Sequence, residues 1–173
     1  TSVRPNGNHR PYNLNRLELR ICDLVADPLA LLAIMALLEA RLLHLIDNPS
    51  LDPLSQKQFS ITELSIISKQ NEVAAAKSSL DAQLIHWQDG KTICARDWIN
   101  ELYEQVMPIA KQYGFSCFLS YLKKILQTGN EAQQWLQLQS VGISTRNVIF
   151  QAINNTREWE IELEEKCCPQ LNT

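Results

Sequence analysis

Apolar and polar side chains alternate over "NLNRLELRICD", residues 13–23. Leu17, Leu19 and Ile21 fall on one face, and Arg16, Glu18, Arg20 and Cys22 on the other, because successive side chains of a strand point to opposite sides. A strand is predicted over about residues 14–22. The period then changes. Asp27 and Pro28 form a cap and first-turn pair. The helix they open runs to about Leu45 and is apolar nearly all round, which predicts a central position. Ser60 with Glu63 makes a capping box and starts a long helix towards Ile85. "ARDWINELYEQVMPIAKQYG" reads as a helix with Leu102, Val106 and Ala110 on one stripe. Pro108 predicts a kink or break there, and Gly114 a C-terminal cap. A short amphipathic helix follows from Ser116 to about Thr128, ended by Gly129. Asn130 caps the next, to about Gln139, and Ser144 opens the last.

Between these lie loops. Residues 1–12 carry two prolines and a glycine, "NPSLDPLSQKQF" carries two prolines, and Asp89-Gly90 marks a turn. No convincing strand is read after residue 25. A lone strand cannot satisfy its own ladder, so its partners are expected outside this chain or in a second copy. The expected fold class is mainly α: a helical bundle following one or two short strands of an incomplete antiparallel sheet, α+β in the full-length protein. Residues 1–25 would be loop and strand of that sheet, 26–166 the helical region and 167–173 a tail. Together they would form one C-terminal domain or fragment.

Composition narrows the class. The chain has 173 residues, 45% hydrophobic and 20% charged, which suits a folded domain with a core. A net charge of −3 disfavours a general nucleic-acid role. The five cysteines, Cys22, Cys94, Cys117, Cys167 and Cys168, are odd in number and form no C-x-x-C pair. They read as reduced thiols of a cytoplasmic protein, with Cys167-Cys168 idle in a tail. No signal peptide is read. "PLALLAIMALL", residues 28–38, is shorter than the ~20 apolar residues of a membrane span and is better read as a buried helix.

Familiar chemistry is mostly missing. His9, His44 and His86 share no metal spacing with the cysteines, and no glycine-rich phosphate cradle or Ser/His/Asp spacing is present. The remaining candidate is the charged strand face. One reading is a solvated face. The other is a wall of a metal–phosphate site: Glu18 offers a hard oxygen for magnesium, and arginine two residues away can fork onto phosphate oxygens.

The stretch "SVRPNGNHRPYNLNRLELRICDLVADPLALLAIMALLEARL" resembles the C-terminal part of the glutamate–cysteine ligase and carboxylate–amine ligase family, closest to its cyanobacterial type. "NEVAAAKSSLDAQLI" and "LYEQVMPIAKQYG" resemble later helices of that family, so the resemblance covers most of the chain. It implies a glutamine-synthetase-like antiparallel sheet. It also implies ATP and Mg2+, used to phosphorylate a carboxylate that an amine then attacks. Glu18 would be a metal ligand, and Arg20 would meet the transferred phosphate. Arg4 would face substrate or nucleotide. Asn71 and Lys77 match an Asn and an Arg of the family's first long helix, although Lys for Arg and Ser79 for Gly are departures. As helix-surface residues they are equally well explained. Arg4, Arg10, Arg16 and Arg20 cluster in one loop and strand, where they could pair with phosphate or a substrate carboxylate. The implied partners are glutamate, cysteine and the missing N-terminal part of the protein. A homo-oligomer stays open, as do a ligase using another amine and a non-catalytic helical interaction module.

Overall fold

The computed structural model describes residues 3–5, 17–19, 25–51 and 58–167. Two strands, β1 (Val3–Pro5) and β2 (Leu17–Leu19), pair antiparallel. Helix α1 (Pro28–Asp47) follows, then a 3-10 turn at Pro49–Leu51 and α2 (Ile61–Ser78). A second antiparallel pair, β3 (Gln83–Ile85) and β4 (Thr92–Cys94), leads into α3 (Ala95–Gln112). Three further helices complete the described chain: α4 (Ser116–Thr128), α5 (Glu131–Ser140) and α6 (Thr145–Cys167). The fold is mainly α with short antiparallel strands, as the pattern predicts.

The capping signals form as read. The Asp27 side chain accepts from the Leu29 and Ala30 N–H groups at 2.9 and 3.3 Å, with Pro28 in the first turn. Ser60 and Glu63 close a capping box, and so do Asn130 and Gln133. Each box satisfies helix N–H groups that have no partner inside the helix.

Four expectations need correction. First, residues 3–5 form a strand, so β2 has a partner within this chain. Prolines at 5 and 11 pointed to a loop, but Pro5 ends β1, where a missing N–H is tolerated. Second, α2 stops at Ser78 instead of reaching towards Ile85. Ser79 takes a φ of +52° there and donates its N–H to Ala75. Third, strands do follow residue 25. Asp89-Gly90 turns between β3 and β4, and at three residues each strand is too short to show a period. Gly90 has a φ of +72°, and a Cβ there would meet the Phe59 ring at 2.9 Å, so this turn requires glycine. Fourth, of the kink or break expected at Pro108, the break does not occur: α3 continues through it. The carbonyl four residues earlier belongs to Glu104, and both residues are exposed. Water can therefore take the place of the lost hydrogen bond.

The core sits between α1, α3 and α4. Ala33, Ala36 and Ala40 pack with Tyr103, Val106, Ala110, Leu119 and Leu122. Alanine lets α1 approach its neighbours closely. On its other side Leu31, Met35, Leu38, Leu42 and Ile46 are all exposed. The helix expected at the centre is therefore buried on its small-residue face alone.

Candidate functional site

The ribbon carries two of the charged residues singled out from sequence, Arg4 and Glu18. Its register sets Val3 opposite Leu19, Arg4 opposite Glu18 and Pro5 opposite Leu17. Arg4 and Glu18, far apart in sequence, thus occupy one cross-strand position, the unit in which opposite charges support a sheet. Arg10, Arg16 and Arg20 lie outside the described residues.

Asn71 and Lys77 stand elsewhere, on α2, whose main packing partner is β3. The Asn71 carboxamide accepts from the Ile85 N–H at 2.7 Å and donates to the Ile85 carbonyl at 2.8 Å. It copies the two bonds a neighbouring strand would make, and so clasps the hairpin to α2. Lys77 is exposed in the last turn of α2, where a cation suits the helix dipole. Further on, the His86 ring lies 5.0 Å from Trp98 and its Nδ1 3.4 Å from Asp89. Cys94 donates its thiol to the Leu80 carbonyl.

A second cluster closes the start of α1, and nothing local in the sequence points to it. Asp27 is buried, and its Oδ2 accepts from the Tyr121 hydroxyl at 2.5 Å. Lys124 Nζ reaches the same hydroxyl oxygen at 3.2 Å. Burial first, and then the hydrogen bond to Asp27, push the Tyr121 phenol well above its usual range, so it remains a donor. Glu131, at the start of α5, accepts from the Ala26 N–H, while its Oε1 is buried without a partner. It also lines a cleft of about 270 Å³ with Trp135 and Trp159, between α5 and α6. Asp27 caps α1, so α4 and α5 together brace the start of that helix.

Burial and the neighbouring Asp27 charge raise the Glu131 pKa above its ordinary 4.5. The folded chain therefore holds this proton more tightly than the unfolded chain. Its contribution is fully present below the unfolded pKa and is lost as pH rises through the folded one. Glu131→Gln, neutral at every pH, should raise the Tm above that window and leave it unchanged at low pH. Partial solvent screening limits the gain to on the order of 0.5 kcal/mol. Thermal melts from pH 4 to 8 check this. Equal curves for both proteins across the range would count against the assignment.

Among the described residues, no three His, Cys, Asp or Glu side chains are grouped to hold a metal ion.

These elements define a class: a mainly helical chain with short antiparallel strands, in which Arg4 and Glu18 sit on a short ribbon ahead of the bundle. A sequence model described as Glutamate-cysteine ligase family 2 (GCS2) matches residues 2–158, and the chain belongs to that family. Its relatives include "Putative glutamate--cysteine ligase 2" of Leifsonia xyli subsp. xyli, 29% identical over 82% of this chain and 36% of the relative. "Putative glutamate--cysteine ligase 2-1" of Frankia casuarinae is 32% identical over 69% of this chain and 30% of the relative. "Putative glutamate--cysteine ligase 2" of Solibacter usitatus is 29% identical over 79% of this chain and 33% of the relative. The chain thus spans about a third of the length of the curated relatives it matches. No solved structure matches it.

Proposed function

We propose that this chain is part of an ATP- and Mg2+-dependent glutamate–cysteine ligase of the cytoplasm, which makes γ-glutamylcysteine in the first step of glutathione synthesis. The observation that carries the reading is the pairing of Arg4 with Glu18, within the residues matched to the family. The γ-phosphoryl group of ATP passes to the glutamate side-chain carboxylate, giving an acyl phosphate and ADP. The cysteine amine attacks the acyl carbon. Phosphate leaves with the C–O bond electrons, and the amine loses a proton.

Each residue has one task in this scheme. Glu18 supplies a single hard oxygen. That fits Mg2+, which takes one or two carboxylates and otherwise binds phosphate oxygens and water. The metal, when bound, neutralises phosphate charge. Arg20 donates to the transferred phosphoryl group, where a fixed cation counts most as charge develops. Arg4, opposite Glu18 in the ribbon's register, faces substrate or nucleotide. Arg10 and Arg16 add positive charge for anionic ligands. The resemblance places the family's other metal carboxylates on earlier strands outside this chain, so this chain alone is expected to be inactive.

The test uses the protein at the length of its relatives, with ATP, Mg2+ and glutamate. Cysteine, glycine, alanine and simple amines are offered in parallel. Cysteine should give the highest kcat/KM, and Glu18→Gln should raise the Mg2+ concentration needed for half-maximal rate. Preference for another amine would move the protein to the broader carboxylate–amine ligases. Absence of ADP release with every amine would overturn the reading.

A further inference from the structure

The cleft between α5 and α6 gathers chemistry that the ligase reaction does not use. Its volume is about 270 Å³, below the ~300–1,000 Å³ of pockets for drug-sized ligands, so its occupant is small. Glu131 and Trp135, four residues apart on α5, line it. So do Val148, Gln151, Asn155 and Trp159, which follow one stripe of α6 at spacings of three and four. Val148 is buried and adds an apolar patch beside the two indoles.

One polar atom among these groups has no protein partner. Glu131 Oε1 is buried without a hydrogen bond, while the other carboxylate oxygen accepts from the Ala26 N–H. A buried acceptor left open costs free energy that a donor would recover. The surrounding charge selects the donor. Burial, and then the Asp27 charge, disfavour the ionised form of Glu131. Glu162 of α6 acts on Tyr121 in the same cluster. Against Asp27, Glu131 and Glu162 stands Lys124, at 3.2 Å from the Tyr121 hydroxyl. This field favours a cation over an anion or a neutral donor. The tryptophans act in the same sense, since indole is the best side-chain partner for a cation. A metal ion fits poorly, because no three ligating side chains are grouped among the described residues. A guanidinium also fits poorly. Its fork matches two carboxylate oxygens, and one of these is taken. An ammonium is a point donor and needs Oε1 alone.

We infer that the α5–α6 cleft binds a small organic primary amine in its ammonium form, held by Glu131 and walled by Trp135 and Trp159. The remaining ammonium N–H groups suit the side-chain oxygens of Gln151 and Asn155. Binding needs only a turn about the soft terminal torsion of Glu131 to present Oε1. The site involves neither Arg4 nor Glu18, so it can fail while the ligase reading stands, and the reverse.

Calorimetric titration tests it on the protein at the length of its relatives, at neutral pH without ATP or glutamate. Benzylamine is the probe and benzyl alcohol its neutral counterpart. Benzylamine should bind with a Kd on the order of 1 mM, and benzyl alcohol about tenfold more weakly or worse. Glu131→Gln keeps the side-chain shape, removes the charge, and should weaken benzylamine about tenfold. Trp135→Leu changes a residue that is 41% exposed, so folding should survive it. It should weaken benzylamine roughly three- to fivefold. No binding up to about 10 mM would overturn the inference. Unchanged benzylamine affinity in either variant would do the same. Equal affinity for benzyl alcohol would make the cleft a plain apolar pocket and sink the idea. Binding by the 173-residue chain, with none by the longer protein, would show that the rest of the polypeptide fills the cleft, and would equally defeat it.

Discussion

Arg20→Lys, made in the protein at the length of its relatives, is expected to lower kcat about a hundredfold while changing the KM for ATP much less. The expectation rests on the proposed ligase reaction. Lysine keeps the charge but loses the planar fork that matches two phosphate oxygens. A contact that strengthens as charge develops on the moving phosphoryl group acts in the transition state, so its loss appears in kcat. Losing such a donor costs on the order of 3 kcal/mol. Steady-state kinetics with ATP varied at saturating glutamate and cysteine separate the two parameters. Unchanged kcat would return the strand to its plain reading as a solvated face. A rise in KM alone would make Arg20 a nucleotide-binding residue.

Leu119→Ala should produce the largest loss of stability. Leu119 is fully buried at the meeting of α1, α3 and α4. Removing three side-chain carbons there loses their transfer energy and leaves a cavity that the alanine-lined face of α1 cannot refill. The cost is about 3 kcal/mol, or a Tm lower by roughly 6–12 °C for a chain of this size. Phe118→Ala, one residue away on the exposed side, provides the contrast, because Phe118 is 39% exposed. It should change the Tm by much less. Similar losses at both positions would mean that the face bearing Phe118 is also packed.

The two sites show what the sequence makes legible. Caps such as Asp27-Pro28, Ser60 with Glu63, and Asn130 use residues within one turn of each other, so residue order alone displays them. The strand over residues 17–19 is legible for the same reason: alternation is local. Its partner was not. Arg4 and Glu18 meet through pairing across a stretch of chain, and prolines at 5 and 11 masked the strand at 3–5. The β3–β4 hairpin was hidden by strand length and is held by Asn71, fourteen residues from Ile85. The Asp27–Tyr121 contact and Glu131 were hidden by separation. Each residue also has an ordinary local explanation as a cap or helix-surface group. For α1, composition revealed an apolar helix but could not say which face the bundle would choose. The bundle took the alanines, because small side chains let three helices approach closely.

The hydroxyl that anchors Asp27 lies 94 residues further along the chain. At ~5–20 residues per second, a ribosome needs about 5–19 s to make that stretch. For most of that interval α1 has no α3 to pack on, and throughout it lacks the end-stop supplied by Tyr121. It emerges as an oily segment with nothing yet to rest against, the kind of nascent surface that chaperones hold. Rare codons placed between residues 47 and 121 would lengthen this exposure, and yield in the cell would then depend on translation speed as well as on the stability of the finished fold.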